Sequence, residues 1–198
     1  MAYTHGMEQA VRTVEEYLAG ERQSEIKHEY YQGQLFAMAG ATRRHNLIVA
    51  NVVGELRSAL RQRPCEVYPS DMRVKVADTG LYTYPDASAL CCEPVFDDSE
   101  EDTLENPQLL VEVLSRSTEA YDRGKKFKLY RAIPTLADYL LLSQDEILVE
   151  HFARQPDGTW NLRIHQAGER IRIGSLQCEL AVDELYLKVP LDEPSADG

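Results

Sequence analysis

Leu109-Leu110-Val111-Glu112-Val113-Leu114-Ser115, running on to Asp122-Arg123-Gly124-Lys125-Lys126-Phe127-Lys128-Leu129-Tyr130, is the stretch whose reading decides the fold. Its first part is a short, almost continuous apolar run, which predicts a strand covered on both faces. In the second part Gly124, Phe127 and Tyr130 fall, with Ala120, on one helical stripe, which predicts a helix that leaves the strand and packs back on the sheet. Glu112 interrupts the apolar run, and a carboxylate there is costly to desolvate unless something cationic meets it. Two readings stand for it: a metal ligand, or a salt bridge to Lys126 or a strand end that still reaches water.

The helix distinguishes between its two adjacent lysines. At about 100° per residue Lys125 falls on the face away from Phe127 and is expected in solvent, whereas Lys126 falls on the flank of the packing stripe. Lys126 also shares a face with Asp122 and Tyr130, so an intrahelical Asp122–Lys126 pair is its alternative role.

Working outward, Met7–Leu18 has helical spacing at Val11, Val14, Tyr17 and Leu18, with Gly20 as its stop. Lys27–Tyr31 and Gln34–Met38 read as a hairpin around Gly33. Thr42–Arg61 carries a long apolar stripe and is ended by Pro64. Strands are expected at Cys65–Tyr68, Met72–Val76 and Tyr82–Cys92, then at Ala137–Leu142 and Glu146–Phe152, with Trp160–His165 and Arg170–Ile173 as a closing pair. Residues 93–106 hold seven acids and no Lys or Arg, which reads as a solvated loop. The expectation is an α/β domain over residues 1–190, with a central mixed sheet flanked by helices, and a flexible tail over 191–198.

A formal net charge of -12 argues against a protein that coats nucleic acid or an acidic membrane over its whole surface. Local basic stretches remain: six Lys/Arg against two acids in 116–131, and five Arg against Glu55 in 43–63. These are either the walls of a phosphate-attracting groove or two solvated helix faces. Cys65, Cys91, Cys92 and Cys178 lack metal-site spacing and scaffold density, which predicts free structural thiols in a reducing, cytoplasmic compartment. No apolar run approaches the ~20 residues of a membrane span, so no membrane partner is expected.

Phosphodiester hydrolysis with a divalent cation needs carboxylates to hold the ion and often a cation to orient the nucleophile. Asp86 after Pro85, Glu112 in its strand and Lys126 on the next helix form such a set in chain order. Glu29 in the hairpin is a further ligand or a polar edge residue, His45 is a phosphate or general-acid group or a surface or capping histidine, and Asp71 is a ligand or a turn residue.

Pro85-Asp86, Val111-Glu-Val-Leu-Ser115, Asp122-Arg-Gly-Lys-Lys126 with Phe127-Lys-Leu-Tyr130, Ile133-Pro134 and Asp138-Tyr139 together resemble the Uma2 family, also called DUF820. That resemblance covers roughly residues 10–190 and implies a restriction-endonuclease-like core of the PD-(D/E)XK type. It implies a Mg²⁺-dependent DNA endonuclease, with Mn²⁺ as a substitute ion, Asp86 and Glu112 as metal ligands, Lys126 as the active lysine, and Glu29, His45 and Asp71 as accessory residues. In the parent motif the lysine stands two residues after the second acid; Leu114 occupies that position, so the resemblance implies a lysine supplied from the helix. Alternatives are a catalytically silent nucleic-acid-binding or assembly protein of the same fold, and a phosphoesterase acting on RNA or small substrates. A homodimer is expected because C₂ pairs are the commonest oligomers and double-strand cleavage needs two sites.

Overall fold

A computed structural model describes residues 12–38, 40–115 and 118–191. The buried strand is β8 (Leu109–Val113), every residue of which is buried. It lies inside a six-stranded sheet of order β11-β10-β9-β8-β6-β3, made with β3 (Glu66–Pro69), β6 (Ala87–Leu90), β9 (Asp138–Leu142), β10 (Leu148–Arg154) and β11 (Trp160–Gln166). Only the β8–β9 pairing in this sheet is parallel. A parallel pair requires a crossover, and the crossover is the lysine-rich helical segment: α3 (Glu119–Tyr121), a π-helical turn (Asp122–Lys126) and α4 (Phe127–Tyr130).

A second sheet has the order β2-β1-β5-β4-β7, from β1 (His28–Tyr31), β2 (Gln34–Ala37), β4 (Arg73–Val76), β5 (Leu81–Thr83) and β7 (Thr103–Leu104). The β1–β2 turn places Gln32 at φ 50° and Gly33 at φ 83°, the positive values expected of a two-residue hairpin. α2 (Arg43–Leu60) begins at Thr42, whose hydroxyl caps the His45 N–H. Its residues Ile48, Val52, Leu56 and Leu60 recur every fourth position and pack against Val111, Val113 and Leu140. The opposite face of the same sheet presents Leu110, Leu141 and Tyr139 to Leu129, Tyr130 and Ile133, and to Val74 and Leu81 of the second sheet. The large sheet is therefore covered on both sides, as the apolar run demands.

Several expectations are corrected. The segment Tyr82–Cys92 is two strands, not one: β5 and β6 belong to different sheets, and Pro85 between them cannot donate to a ladder. β11 and β12 (Arg170–Ile173) do not pair with each other; β11 pairs with β10, and β12 pairs with β13 (Cys178–Ala181), which is followed by α5 (Val182–Leu185). α1 spans Val14–Glu21, running past Gly20, and opens on a capping box between Thr13 and Glu16. The start of the expected helix, before Arg12, lies outside the described residues, as does the expected tail beyond Leu191.

Cys65 and Cys91 are joined by a disulfide, with Cα atoms 4.0 Å apart, while Cys92 and Cys178 are free. The β3–β6 register, with Glu66 opposite Leu90, brings the two cysteines together just beyond the paired residues. The expectation of four free thiols is thus wrong, and the cysteines no longer argue for a reducing compartment. Residues 93–106 are not a merely solvated loop either. Thr103–Leu104 forms β7, parallel to β4. Asp98 and Asp102 meet Arg22, Asp102 also meets Arg73, and Asp97 and Glu105 meet Lys75. Among the described residues no helix is long and apolar enough to cross a membrane.

Candidate active site

Glu112 faces Leu141 across the β8–β9 ladder, on the Tyr139 side of the sheet. Lys126 Nζ lies 2.8 Å from its Oε1, and the Tyr130 hydroxyl donates to the same oxygen at 2.8 Å. The lysine also lies 3.3 Å from Glu29 Oε1 and 3.6 Å from Asp122 Oδ1. All four of these charged residues are buried. Glu29 arrives from β1 of the second sheet, where the Thr83 hydroxyl donates to Oε1 at 2.5 Å and the Tyr121 hydroxyl lies 3.5 Å from Oε2.

Asp86 stands one residue before β6. Because Ala87 is opposite Val111, continuing the antiparallel register sets Asp86 beside Glu112. Its Oδ2 accepts the Val113 N–H at 2.7 Å and lies 3.2 Å from His45 Nε2. The N-terminal turn of α2 thus closes the site from the other side. His45 is half-buried rather than a surface residue, and Thr42, not His45, is the helix cap. His45 Nδ1 is buried and has no hydrogen-bond partner among the described residues.

One cleft of about 1200 Å³ is lined by Glu29, His45, Asp86, Glu112, Asp122 and Lys126 together. Asp71 does not line it. That carboxylate is exposed and pairs with Lys27 at 2.5 Å, as its turn position suggests. Lys125 is exposed, with its ammonium 4.8 Å from the Tyr31 ring centre.

The local helix geometry differs from the α-helical wheel. Residues 122–126 form a π turn, with the Phe127 N–H reaching the Asp122 carbonyl. Such wide turns are short insertions, often found at functional sites. Here the turn holds both Asp122 and Lys126 inward while Gly124 and Lys125 stay exposed. Leu114 shares the face of Glu112 and is buried in the apolar core beside Leu110 and Leu141. A lysine arriving from the helix therefore leaves position 114 to packing.

The charges do not balance. Burial pushes the Glu112 carboxyl well above the ordinary range; Lys126 opposes the shift, and Asp122 and Asp86 add to it. Burial raises Asp122 too, again against Lys126. Desolvation alone would lower Lys126, but Glu112, Glu29 and Asp122 outweigh it and hold the ammonium protonated. Helical spacing predicts Asp122 only as a partner of Lys126 and does not predict Tyr130 as a hydrogen-bond donor to Glu112, although both share a helical face with Lys126. Among the described residues no group of three or more His, Cys, Asp or Glu is arranged as a ready-made metal cage.

The family model Uma2, described as "Putative restriction endonuclease", matches residues 14–184. The chain belongs to the Uma2 family. It is 39% identical over 172 residues to the uncharacterized protein slr1290 of Synechocystis sp. strain PCC 6803, covering 87% of this chain and 90% of that protein. It is 38% identical over 152 residues to sll1609 of the same organism, covering 77% of this chain and 86% of that protein. A crystal structure from Anabaena variabilis, titled as that of "a putative nuclease belonging to DUF820", superposes with a TM-score of 0.72 at 17% identity. That match covers 88% of this chain and 97% of the other, and it establishes the Uma2 fold for the arrangement of sheets and helices seen here.

Proposed function

We propose that this Uma2 protein is a Mg²⁺-dependent DNA endonuclease whose ion is held by Asp86 and Glu112. The observation that carries the reading is the buried carboxylate excess: Glu29, Glu112 and Asp122 share the ammonium of Lys126, with Asp86 alongside. A divalent cation fits such a donor set, because Mg²⁺ takes oxygen ligands and commonly uses only one or two carboxylates, completing its shell with water and substrate phosphate. When bound, the ion would polarise the scissile phosphate and lower the pKa of an attacking water.

The chain's own groups supply the rest. Lys126, kept protonated by its carboxylate neighbours, directs positive charge at the nucleophile and at the charge that builds on phosphorus. Tyr130 fixes one oxygen of Glu112, and the Val113 N–H fixes one oxygen of Asp86, so both carboxylates are oriented before any ligand arrives. His45 Nε2 steadies Asp86, while its buried Nδ1 has no hydrogen-bond partner among the described residues.

The test is cleavage of supercoiled, linear and single-stranded DNA by purified protein with Mg²⁺ or Mn²⁺. Cleavage that disappears in Glu112→Ala is the expected outcome. No cutting of any form, or a Glu112→Ala variant that cuts as well as the parent, rejects the proposal. The Glu112–Lys126 salt bridge itself favours a second reading, a silent nucleic-acid-binding protein. Under that reading a DNA gel shift survives Asp86→Ala, and calorimetry detects no Mg²⁺ binding. Double-strand cleavage further implies a homodimer, which a monomeric mass by light scattering would remove.

A further inference from the structure

The opposite face of the same sheet carries a separate polar pocket. Strand register places it: Leu140, His151 and Arg163 stand opposite one another across β9, β10 and β11, as do Leu142, Val149 and His165. Glu112 pairs with Leu141, the neighbour of Leu140, and so projects from the other side. The β12–β13 hairpin closes over this face and adds Arg172 and Ser175 to the walls of a cavity of about 330 Å³. That volume is at the low end of the ~300–1,000 Å³ of small-ligand sites, too small for a duplex.

The charge of the pocket is opposite to that of the protein. Arg154, Arg163, Arg170 and Arg172 all line it, whereas the whole chain carries -12. Its one carboxylate, Asp138, is already engaged. His151 Nε2 lies 2.7 Å from Oδ1, and Ser175 donates its hydroxyl at 2.5 Å and its N–H at 3.0 Å to Oδ2. Arg170 is held by Glu179 at 3.3 Å, and Arg154 donates to the Pro134 carbonyl at 3.1 Å. The guanidinium groups of Arg163 and Arg172 make no hydrogen bond or ion pair among the described residues. His165 Nε2 is buried and has no partner among them.

We infer that this pocket binds a phosphate group, gripped by the guanidinium forks of Arg163 and Arg172, with His165 Nε2 as a further hydrogen-bonding group. Guanidinium presents paired N–H donors that match phosphate oxygens, and two such forks suit a dianion better than a single carboxylate. The Asp138–His151–Ser175 chain acts as a positioning frame that ties β9 and β10 to the turn after β12. The phosphate is either free inorganic phosphate or the terminal phosphate of an oligonucleotide, and the inference does not depend on nuclease activity.

Calorimetry on the full chain at low ionic strength, with chelator present, separates the two sources. The probes are inorganic phosphate, a 5′-phosphorylated dithymidylate and its unphosphorylated counterpart. Binding of inorganic phosphate or of the 5′-phosphorylated dinucleotide is expected, with none of the counterpart, which carries only its internal phosphodiester monoanion; inorganic phosphate identifies the free ion as sufficient, and binding of the 5′-phosphorylated dinucleotide alone identifies a nucleic-acid end. Arg163→Ala/Arg172→Ala should weaken binding by about tenfold or more, about 1.4 kcal/mol, and Asp86→Ala should not. Both arginines are exposed, so the double variant should melt like the parent; if it does not, Arg172→Ala alone provides the same comparison. No binding of either phosphate, or affinity unchanged by losing the arginines, overturns the inference.

Discussion

The acidic segment 93–106 and the cleft around Glu112 are both rich in carboxylates, yet their ionisation shifts in opposite directions. On the segment, the Arg22 hydrogen bonds hold Asp98 and Asp102 below the ordinary range, with the side chains about a third exposed. In the cleft, burial pushes Glu112 and Asp122 above it. Chemistry and residue type are the same in both places. What differs is the number of cations reaching each acid and the amount of water left around it. Asp97, Asp98, Asp102 and Glu105 meet their cations within the chain and tie the segment around β7 to β4 and to the end of α1. The carboxylates of the cleft are not so matched, and an uncompensated buried carboxylate is a standing preference for an added cation or proton.

The largest test of this contrast removes the buried ammonium of Lys126. Lys126→Met leaves Glu29, Glu112 and Asp122 without their common partner and should destabilise the fold by about 3–5 kcal/mol near pH 8. Urea denaturation should find the loss shrinking toward pH 5, as the carboxyls take up protons. A loss independent of pH would mean that packing, not charge, is what Lys126 provides.

Next comes the ion itself. Added Mg²⁺ at a hundredfold excess over its Kd should stabilise the protein by about 2.7 kcal/mol. With the Mg²⁺ concentration fixed at a hundredfold over the Kd at pH 8, the effect should be smaller at pH 6, because Glu112 must lose its proton to act as a ligand. Thermal melts with and without Mg²⁺ at the two pH values measure it, and an equal shift at both contradicts the role given to Glu112.

The opposite pKa directions also predict opposite pH slopes. Glu112 lies above its unfolded value, so its contribution is full below that value and is lost as pH rises through the folded one. Asp102 lies below its unfolded value, so its contribution is present above it and is lost as pH falls. Glu112→Gln should therefore flatten the alkaline side of the ion-free stability profile, and Asp102→Asn the acid side. Arg22→Ala should cost no more than about 1 kcal/mol and become milder in high salt, as expected of pairs about a third exposed. Smallest of all, Lys125→Ala should change stability by about 0.5 kcal/mol or less, since it loses only an exposed contact with Tyr31. A Lys125 effect as large as that of Lys126 would erase the distinction between the two lysines.

Much of this was legible locally. α2 starts at Thr42 and buries every fourth residue, and the β1–β2 hairpin turns at Gly33, because caps, apolar periods and positive-φ glycines are properties of a few neighbouring residues. The burial of Glu112 and the choice of Lys126 over Lys125 could also be read from spacing, although the turn that carries the lysine is π rather than α. The split at Pro85, the partner of β12 and the Cys65–Cys91 link could not, since each depends on which strands become neighbours.

By itself, then, the sequence determined a buried strand with an acid in its middle, a helix returning a lysine to it, and membership of a nuclease-like family. Only the tertiary structure decided that Glu29 from the second sheet, Asp86 from the β5–β6 crossing and Asp122 from the π turn would share that lysine's surroundings. It also decided that the acids of 93–106 would find Arg22, Arg73 and Lys75. The reason is physical: whether a carboxylate is paired, strained or open to a cation depends on desolvation and on every charge within a few ångströms, and the chain folds those charges together from distant positions.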